Sequence, residues 1–201
     1  MTRDGEPGSS DRSLITELLA RVTMYGVIDS GTARALSADL GIGDQAISDL
    51  IAEQALVQDG EYLYVSDEGE QRLSRELRAR IAPEEQEPLG TFAGEFDTLD
   101  VQLKAAVTDW QHAQHDGDAE GQVAAVERWL EVDRRLHDAA ARSYAAKRVF
   151  GRYLDRLQVA RDAVLAGQAD RLSGADESSY HSLWFLLHEV LLRTLGRNRE
   201  E

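Results

Sequence analysis

Apolar residues in the first part of the chain recur every three to four positions, which predicts short amphipathic helices. The first predicted helix begins at Ser13, which is a suitable capping residue. A second runs over residues 32–40 and ends at Gly41, because glycine adopts the left-handed conformation of a helix end without strain. Asp44 then caps a third helix. The chain is therefore predicted to open with three short helices in close succession.

A β-hairpin is predicted after the third helix. Residues 56–58 and 62–65 have the apolar and aromatic character of strands, and Asp59 and Gly60 form the turn between them. Asp67 follows as the predicted cap of a fourth helix. The hairpin is the only β-structure that the pattern predicts.

From Thr91 onward the helical period continues almost without interruption. Four helices of about 20 residues are predicted, a length that suits an antiparallel bundle. They cover residues 91–114, 119–144, 146–166 and 177–195. The predicted fold class is mainly α, with a small β-hairpin in the first part and an antiparallel helical bundle in the second.

Two prolines mark the predicted boundary between these parts. Pro83 and Pro88, with three acidic residues between them, interrupt the helical pattern. The first ten residues are polar and predict disorder. The predicted organisation is a disordered tail (1–10), a first domain (11–82), a linker (83–90) and a helical domain (91–201).

Charge and composition narrow the possible functions. The 201 residues carry a formal net charge of −15 and include no cysteine. A chain this acidic is not a general nucleic-acid binder, so any DNA contact must come from a local surface. The lack of cysteine excludes disulfides and thiolate chemistry. No apolar run reaches the roughly 18 residues of a membrane span, and no secretory signal is recognisable. We therefore expect a cytoplasmic protein with no membrane partner.

The first domain resembles the winged helix-turn-helix domain of MarR-like transcriptional regulators. The resemblance covers roughly residues 12–82 and is carried by TARALSADLGIGDQAISDLIAEQALV followed by DGEYLYVSDEGEQRL. It implies that the helix starting at Asp44 enters the major groove of DNA and that the hairpin is the wing. The residues that the resemblance places toward the groove are Asp44, Gln45, Ser48, Asp49 and Gln54. Of these, Gln45, Ser48 and Gln54 can hydrogen-bond to bases. Phosphate contacts are expected from arginines of the same domain, namely Arg12, Arg21, Arg34 and Arg72.

The charge of this region supports a second interpretation. The segment from Asp44 to Ala55 contains three acidic residues and no basic one, and the hairpin also lacks lysine and arginine. Phosphate neutralisation supplies much of the affinity of DNA-binding proteins. An acidic module that binds a protein partner, with no DNA binding, therefore stays open as the alternative.

All five histidines and all three tryptophans lie in the second half of the chain. Such polar aromatic side chains suit a small-ligand pocket between helices, although tryptophan at helical spacing also suits a core. A basic stripe is formed by Arg148, Arg152 and Arg156, which recur every four residues and are flanked by Lys147 and Arg161. Such a stripe suits an anionic ligand or, alternatively, a solvated face. The candidate ligand-binding residues are Trp110, Gln111, His181, Trp184 and His188, with Arg148 and Arg152 from the stripe.

The second half shows two family resemblances. Asp133 and His137 resemble the Asp-x-x-Phe-His motif in the effector domain of GntR-type regulators, which implies two ligands of a divalent metal, with His181 as a third. Two segments of the second half, residues 108–111 (TDWQ) in its first predicted helix and residues 181–196 in its last, resemble a helical region of actinobacterial-type proteins. Some of those proteins pair it with a winged helix and accompany phosphoenolpyruvate-utilising enzymes, which implies a regulator or an accessory protein.

The sequence contains no motif typical of a catalytic site: it has no glycine-rich phosphate loop, no G-x-S-x-G and no H-E-x-x-H. The leading hypothesis is a homodimeric transcriptional regulator that binds DNA and senses a small-molecule effector. The alternative is the acidic interaction module, serving a partner enzyme. An enzyme that uses the histidines and carboxylates of the bundle is the third hypothesis.

Overall fold

The structure is a computed structural model that describes residues 9–174, 176 and 178–197, with side chains from Arg12 onward. The chain divides into two compact units. The first contains the residues up to Arg80 together with those from Gly196 on, and the second spans Ile81–Leu195. Residues 1–8 of the predicted disordered tail lie outside the described residues, whereas Ser9 and Ser10 already belong to a helix.

The first unit alternates helices with the strands of one small antiparallel sheet. Its elements are α1 (Ser9–Tyr25), β1 (Val27–Asp29), α2 (Ser30–Asp39), α3 (Gly43–Ala52), β2 (Leu56–Asp59), β3 (Tyr62–Val65) and α4 (Asp67–Arg78). The predicted hairpin is confirmed as β2 and β3. Strand β1 was not predicted, because three residues are too short to show a period of two.

The sheet has the strand order β1-β3-β2, so β3 lies between two antiparallel neighbours. Ile28 and Leu63 are opposite each other and buried. Their neighbours Val27 and Tyr64 also pair, on the outer face of the sheet. Alternation of side chains along a strand therefore gives the sheet one face in the core and one face exposed.

Three predicted helix starts were wrong by a few residues. Helix α1 begins before Ser13. Asp44 lies in the first turn of α3 rather than at its cap, where a carboxylate still interacts favourably with the positive end of the helix. Ser66, not Asp67, caps α4, because the Ser66 hydroxyl accepts a hydrogen bond from the backbone of the first turn. Asp29 similarly caps α2.

The second unit is helical throughout its described residues. A 3-10 turn (Pro83–Glu85) leads into α5 (Gln86–Asp116), α6 (Ala119–Arg142), α7 (Tyr144–Leu165), the short α8 (Asp170–Ser173) and α9 (Tyr180–Leu195). The four long helices confirm the predicted pattern, although α9 begins three residues later than expected. The predicted linker 83–90 is wrong as a loop. Pro83 starts the 3-10 turn and Pro88 lies in the first turn of α5, where a missing backbone N–H breaks no helical hydrogen bond.

Aromatic side chains fill the core of the second unit. The rings of Phe96 and Trp184 stack with centroids 4.6 Å apart, and Trp129 meets Tyr180 edge-on at 5.1 Å. These rings come from α5, α6 and α9, so the last helix completes the core. Across the part of the chain that the structure describes, no helix is long and apolar enough to cross a membrane.

Candidate functional site

Helix α3 presents a polar face to solvent. Ala46, Ile47 and Leu50 are buried, and this places Gln45 and Ser48 on the exposed side. The amide nitrogen of Gln45 donates a hydrogen bond to Asp49, at 2.7 Å. Both predicted base-reading residues of α3 are therefore accessible, and a carboxylate lies beside them.

A tight turn holds α3 against α2. Gly41 and Gly43 both have positive φ, 71° and 70°, a conformation that glycine adopts without strain. The buried Ser37 of α2 donates a hydrogen bond from its hydroxyl to the carbonyl oxygen of Gly43. The start of α3 is therefore anchored to α2 through this hydroxyl as well as through apolar packing.

Gln54 lies outside the exposed face of α3. The helix ends at Ala52, earlier than the sequence predicted, and Gln54 follows in the left-handed conformation with a φ of 61°. Ser66 donates a hydrogen bond to the carbonyl oxygen of Gln54 and so ties this turn to the start of α4. Gln54 is exposed, but its backbone serves to end the helix rather than to present a side chain from it.

Two arginines of the first unit are each engaged by two of its own carboxylates. Arg72 pairs with Glu53 and with Glu76. Arg21 is almost fully buried and pairs with Glu17 and Asp39. Arg34 on α2 and Arg75 on α4 are different. Both are exposed, and neither guanidinium makes a hydrogen bond or ion pair with the described residues.

The outer face of the sheet exposes apolar and aromatic side chains. Val27 is 61% exposed, Tyr62 51% and Tyr64 37%. Tyr62 lies between Asp29 and Asp59 in the register of the three strands. We call this surface of Val27, Tyr62 and Tyr64 the sheet face. It combines exposed rings with flanking carboxylates.

Asp133 forms the centre of a buried polar cluster in the second unit. Its side chain is 2% exposed and accepts a hydrogen bond from the Tyr180 hydroxyl at 2.9 Å and one from the Arg161 guanidinium at 2.9 Å. Burial is the main cause that raises the pKa of Tyr180 well above 10, so the phenol stays a donor. The cluster therefore joins α6, α7 and α9 through one carboxylate.

The structure does not bring the three predicted metal ligands together. Both carboxylate oxygens of Asp133 are engaged, one of them by a positively charged guanidinium that would repel a cation. His137 Nδ1 lies 3.5 Å from Asp133 Oδ1, but its hydrogen bond is to the backbone carbonyl oxygen of Asp133. His181 packs on Phe185 instead. Among the described residues, no group of three or more histidine, aspartate or glutamate side chains could hold a metal ion. The predicted residues thus do not fit a divalent metal.

A second buried carboxylate, Asp100 on α5, gathers several predicted ligand-binding residues. It accepts hydrogen bonds from Trp184 Nε1 at 2.9 Å and Lys104 Nζ at 2.7 Å. His188 Nδ1 lies 3.9 Å from it. Burial lowers the pKa of His181, which lies nearby. Trp184 and His188 are themselves buried, so this cluster ties α9 to α5 inside the core.

Trp110 and Gln111 are separate from that cluster. Trp110 is buried, whereas its neighbour Gln111 is exposed on the other side of α5. Ten residues separate Trp110 from Asp100, which corresponds to about 15 Å along a helix. The predicted single pocket that joins the tryptophans and histidines is therefore not formed by this arrangement.

The other two predicted ligand-binding residues, Arg148 and Arg152, line a cleft of about 590 Å³ between α6 and α7. We call it the α6–α7 cleft. Its remaining lining residues are His137, Ala140, Ala141, Lys147, Gly151, Leu154, Asp155 and Gln158. Three cationic side chains thus share the cleft with a single carboxylate and with small apolar side chains.

Arg148 is also a structural residue. Its guanidinium donates hydrogen bonds to both oxygens of Glu85, at 2.7 Å from Nε to Oε1. Glu85 also accepts a hydrogen bond from the backbone of Ala82. Arg148 is the first cause of the lowered pKa of Glu85. The pair connects the 3-10 turn to α7.

A neighbouring groove between α5 and α6, of about 760 Å³, also contains arginines, but there they are paired. Arg134 binds Glu131 and Asp138, and Arg142 binds Glu95. In the α6–α7 cleft, by contrast, the Lys147 ammonium makes no hydrogen bond or ion pair with the described residues. The sequence showed Lys147 only as a flank of the basic stripe and gave no sign that it shares a cleft with His137.

Comparisons of the chain with protein-family models, with curated proteins and with solved structures found no match. The features of the molecule that bear on its function are the exposed side of α3, the sheet face and the α6–α7 cleft.

Proposed function

We propose that the chain is a transcriptional regulator that binds DNA through its first unit and senses a small ligand through its second. The observation that supports this most is the order of elements in the first unit. Helices α2 and α3 are joined by a tight turn and are followed by an antiparallel hairpin, and β1 completes the sheet. A helix-turn-helix with a wing has this order, and its second helix enters the major groove.

In this proposal α3 supplies the contacts with bases. Gln45 and Ser48 are exposed on α3 and carry the amide and hydroxyl groups that hydrogen-bond to base edges. Arg34 on α2 supplies a phosphate contact. We expect Gln54 to contribute less to the base contacts than Gln45 and Ser48, because it lies beyond the end of the helix.

The acidic character of α3 has a consequence for the mode of binding. Each phosphate contact contributes a slope of about −0.9 to the dependence of log affinity on log salt concentration. A surface with few unpaired cations neutralises few phosphates. We therefore expect specific binding through base contacts, with a shallow slope of about −1 for each chain, from the single phosphate contact of Arg34.

Binding to the DNA upstream of the protein's own coding sequence tests the proposal. Fluorescence anisotropy of a labelled duplex is measured at several salt concentrations with the full chain. Gln45→Ala combined with Ser48→Ala is expected to weaken binding by about tenfold to a hundredfold, the loss of one or two base contacts. Arg128→Ala, in an exposed ion pair of the second unit, is the control and leaves the affinity unchanged.

Absence of binding at the lowest salt concentration overturns the DNA-binding role, because electrostatic attraction is then strongest. Equal affinity of the double variant and the unchanged chain overturns the assignment of α3. Two parts of the proposal are tested separately. Light scattering of the purified chain measures the proposed homodimer, and titration of ligands measures sensing.

The sheet face favours a second candidate function. Exposed tyrosines are typical of protein interfaces, and the carboxylates beside Tyr62 suit a cationic partner segment. The chain would then be an acidic module that binds a basic region of a partner protein. Binding of an arginine-rich peptide that Tyr62→Ser combined with Tyr64→Ser abolishes, together with absence of DNA binding, would favour this function over the first.

A further inference from the structure

The α6–α7 cleft brings together three kinds of recognition group. Lys147 and Arg152 supply positive charge beside Arg148, whose charge is paired with Glu85, and Ala140 and Leu154 supply apolar surface. The chain as a whole has a net charge of −15, so a local excess of cations is a departure from the rest of its surface. Local positive charge beside small apolar residues suits a small organic anion.

His137 adds a hydrogen-bond acceptor. Its Nδ1 lies 2.9 Å from the backbone carbonyl oxygen of Asp133. A carbonyl oxygen can only accept, and the Asp133 carboxylate oxygen Oδ1 also lies 3.5 Å from Nδ1. Nδ1 is therefore the donor, and in the tautomer that this assigns Nε2 carries the lone pair. Nε2 is buried and has no hydrogen-bond partner in the part of the chain that the structure describes. A buried polar atom of this kind is costly unless another group satisfies it.

The shape of the cleft depends on a glycine. Gly151 lies on the α7 side, and a Cβ placed there would meet no heavy atom within 4 Å. The absence of a side chain in the middle of a helix is unfavourable by about 1 kcal/mol relative to alanine, and here it leaves open space. That space lies on the same wall as Lys147 and Arg152.

We propose that the α6–α7 cleft binds a small organic anion that also carries a hydroxyl group, such as a hydroxycarboxylic acid. Its carboxylate lies against Lys147 and Arg152, its hydroxyl donates a hydrogen bond to His137 Nε2, and its apolar part packs on Ala140 and Leu154. The assignment deepens the proposed sensing role, because it names the ligand class and the site.

Isothermal titration calorimetry of the full chain without DNA tests this proposal independently of DNA binding. Mandelate is the probe, because it combines a carboxylate, a hydroxyl and an apolar ring. Phenylacetate is the matched control, because it lacks only the hydroxyl. We expect mandelate to bind with a Kd below about 1 mM and phenylacetate to bind about tenfold more weakly, the effect of one hydrogen bond.

Three variants locate the site. Lys147→Gln removes an unpaired charge, and Gly151→Leu fills the open space. Each is expected to weaken mandelate binding by about tenfold or more. His137→Phe removes the difference between the two probes. Arg142→Gln, in the groove between α5 and α6, is the control that leaves binding unchanged. The circular dichroism melting curve of each variant checks that it is folded.

No heat of binding for mandelate at concentrations up to about 10 mM overturns the proposal, because a Kd that weak is not recognition. Equal binding by folded Lys147→Gln and Gly151→Leu variants overturns the location of the site. Equal affinity for mandelate and phenylacetate in the unchanged chain overturns the part assigned to His137.

Discussion

The two units of the chain offer different kinds of surface: the first has an exposed apolar and aromatic sheet face, and the second has a cleft lined by cationic side chains. In the first unit, Tyr62 and Tyr64 are exposed, and Arg72 is paired with two carboxylates. In the second, Trp184 and Tyr180 are fully buried, and an unpaired lysine lines a cleft. The first unit thus has a broad surface suited to a large partner, whereas the second has a core of packed aromatic rings and a small concave site, the α6–α7 cleft. Whether an aromatic or charged side chain can bind another molecule therefore depends on its contacts within the folded chain, and not on its residue type alone.

The largest effect is expected from removing the carboxylate at the centre of the second unit. Asp133→Ala removes the acceptor of the buried Tyr180 hydroxyl and leaves the partly buried Arg161 with Asp162 as its remaining carboxylate partner. We expect the free energy of unfolding to fall by about 3 kcal/mol, the usual cost of breaking a buried pair. Urea denaturation measures it. Asp138→Ala, in an exposed pair with Arg134, is the control and changes stability by less than about 0.5 kcal/mol. A loss below about 1 kcal/mol for Asp133→Ala contradicts the role of the cluster.

A second, smaller effect is expected from Tyr180→Phe, whose loss of stability depends on pH. The variant loses a hydrogen bond to a charged acceptor, and we expect a loss of about 1.5 kcal/mol at pH 8. The pKa of Tyr180 in the folded chain is raised above its unfolded value near 10. The contribution of this phenol is therefore complete below pH 10 and is lost as the pH rises through the raised pKa.

The difference in stability between the unchanged chain and Tyr180→Phe should accordingly shrink above pH 10. Urea denaturation at pH 8, 10 and 11 measures this difference. A difference that stays constant, or grows, over that range would show that the Tyr180 hydroxyl is not held as a buried donor.

A smaller effect is expected at the turn that ends α3. Gln54 has a positive φ, which costs a residue with a Cβ about 1 kcal/mol. Gln54→Gly should therefore raise the free energy of unfolding by about 0.5–1 kcal/mol and leave DNA affinity nearly unchanged. Gly41→Ala, at the corresponding turn after α2, should lower it by a similar amount. A large loss of DNA affinity in Gln54→Gly would show that the Gln54 side chain contacts bases and would contradict this prediction.

The smallest effect is expected on the sheet face. Tyr62 is half exposed, so Tyr62→Ser should change the free energy of unfolding by less than about 0.5 kcal/mol. Thermal denaturation compared with Tyr180→Phe measures the contrast. A loss from Tyr62→Ser as large as that from Tyr180→Phe would mean that the sheet face serves stability rather than interaction.

Local chemistry explains which elements could be predicted from the sequence. The hairpin could be predicted from Asp59 and Gly60, and the four long helices from apolar periodicity. In each case the signal is carried by residues that lie within a few positions of one another in the sequence. Strand β1 has only three residues, and its partner β3 lies more than thirty positions away. The predicted linker was wrong because proline is compatible with a first helical turn, and the sequence alone did not show where that turn begins.

The candidate sites depend on contacts that sequence spacing does not show. Arg148 is engaged by Glu85, which is 63 positions away, whereas the adjacent Lys147 is not engaged. Asp133 and His137 have the spacing of metal ligands, but Arg161 and Tyr180 approach the carboxylate from two other helices. The residue types were predicted, while their partners required the packed structure.

The central claim, that α3 contacts DNA, is tested most directly by crosslinking from a single position. Because the chain contains no cysteine, Ser48→Cys introduces one site for a photoreactive thiol reagent on the exposed side of α3. Val123→Cys, on an exposed position of α6, is the matched control. We predict efficient crosslinking of the upstream duplex from position 48 and none from position 123. Equal yields from the two positions, or no crosslink from position 48 at a DNA concentration that saturates binding, would contradict the claim.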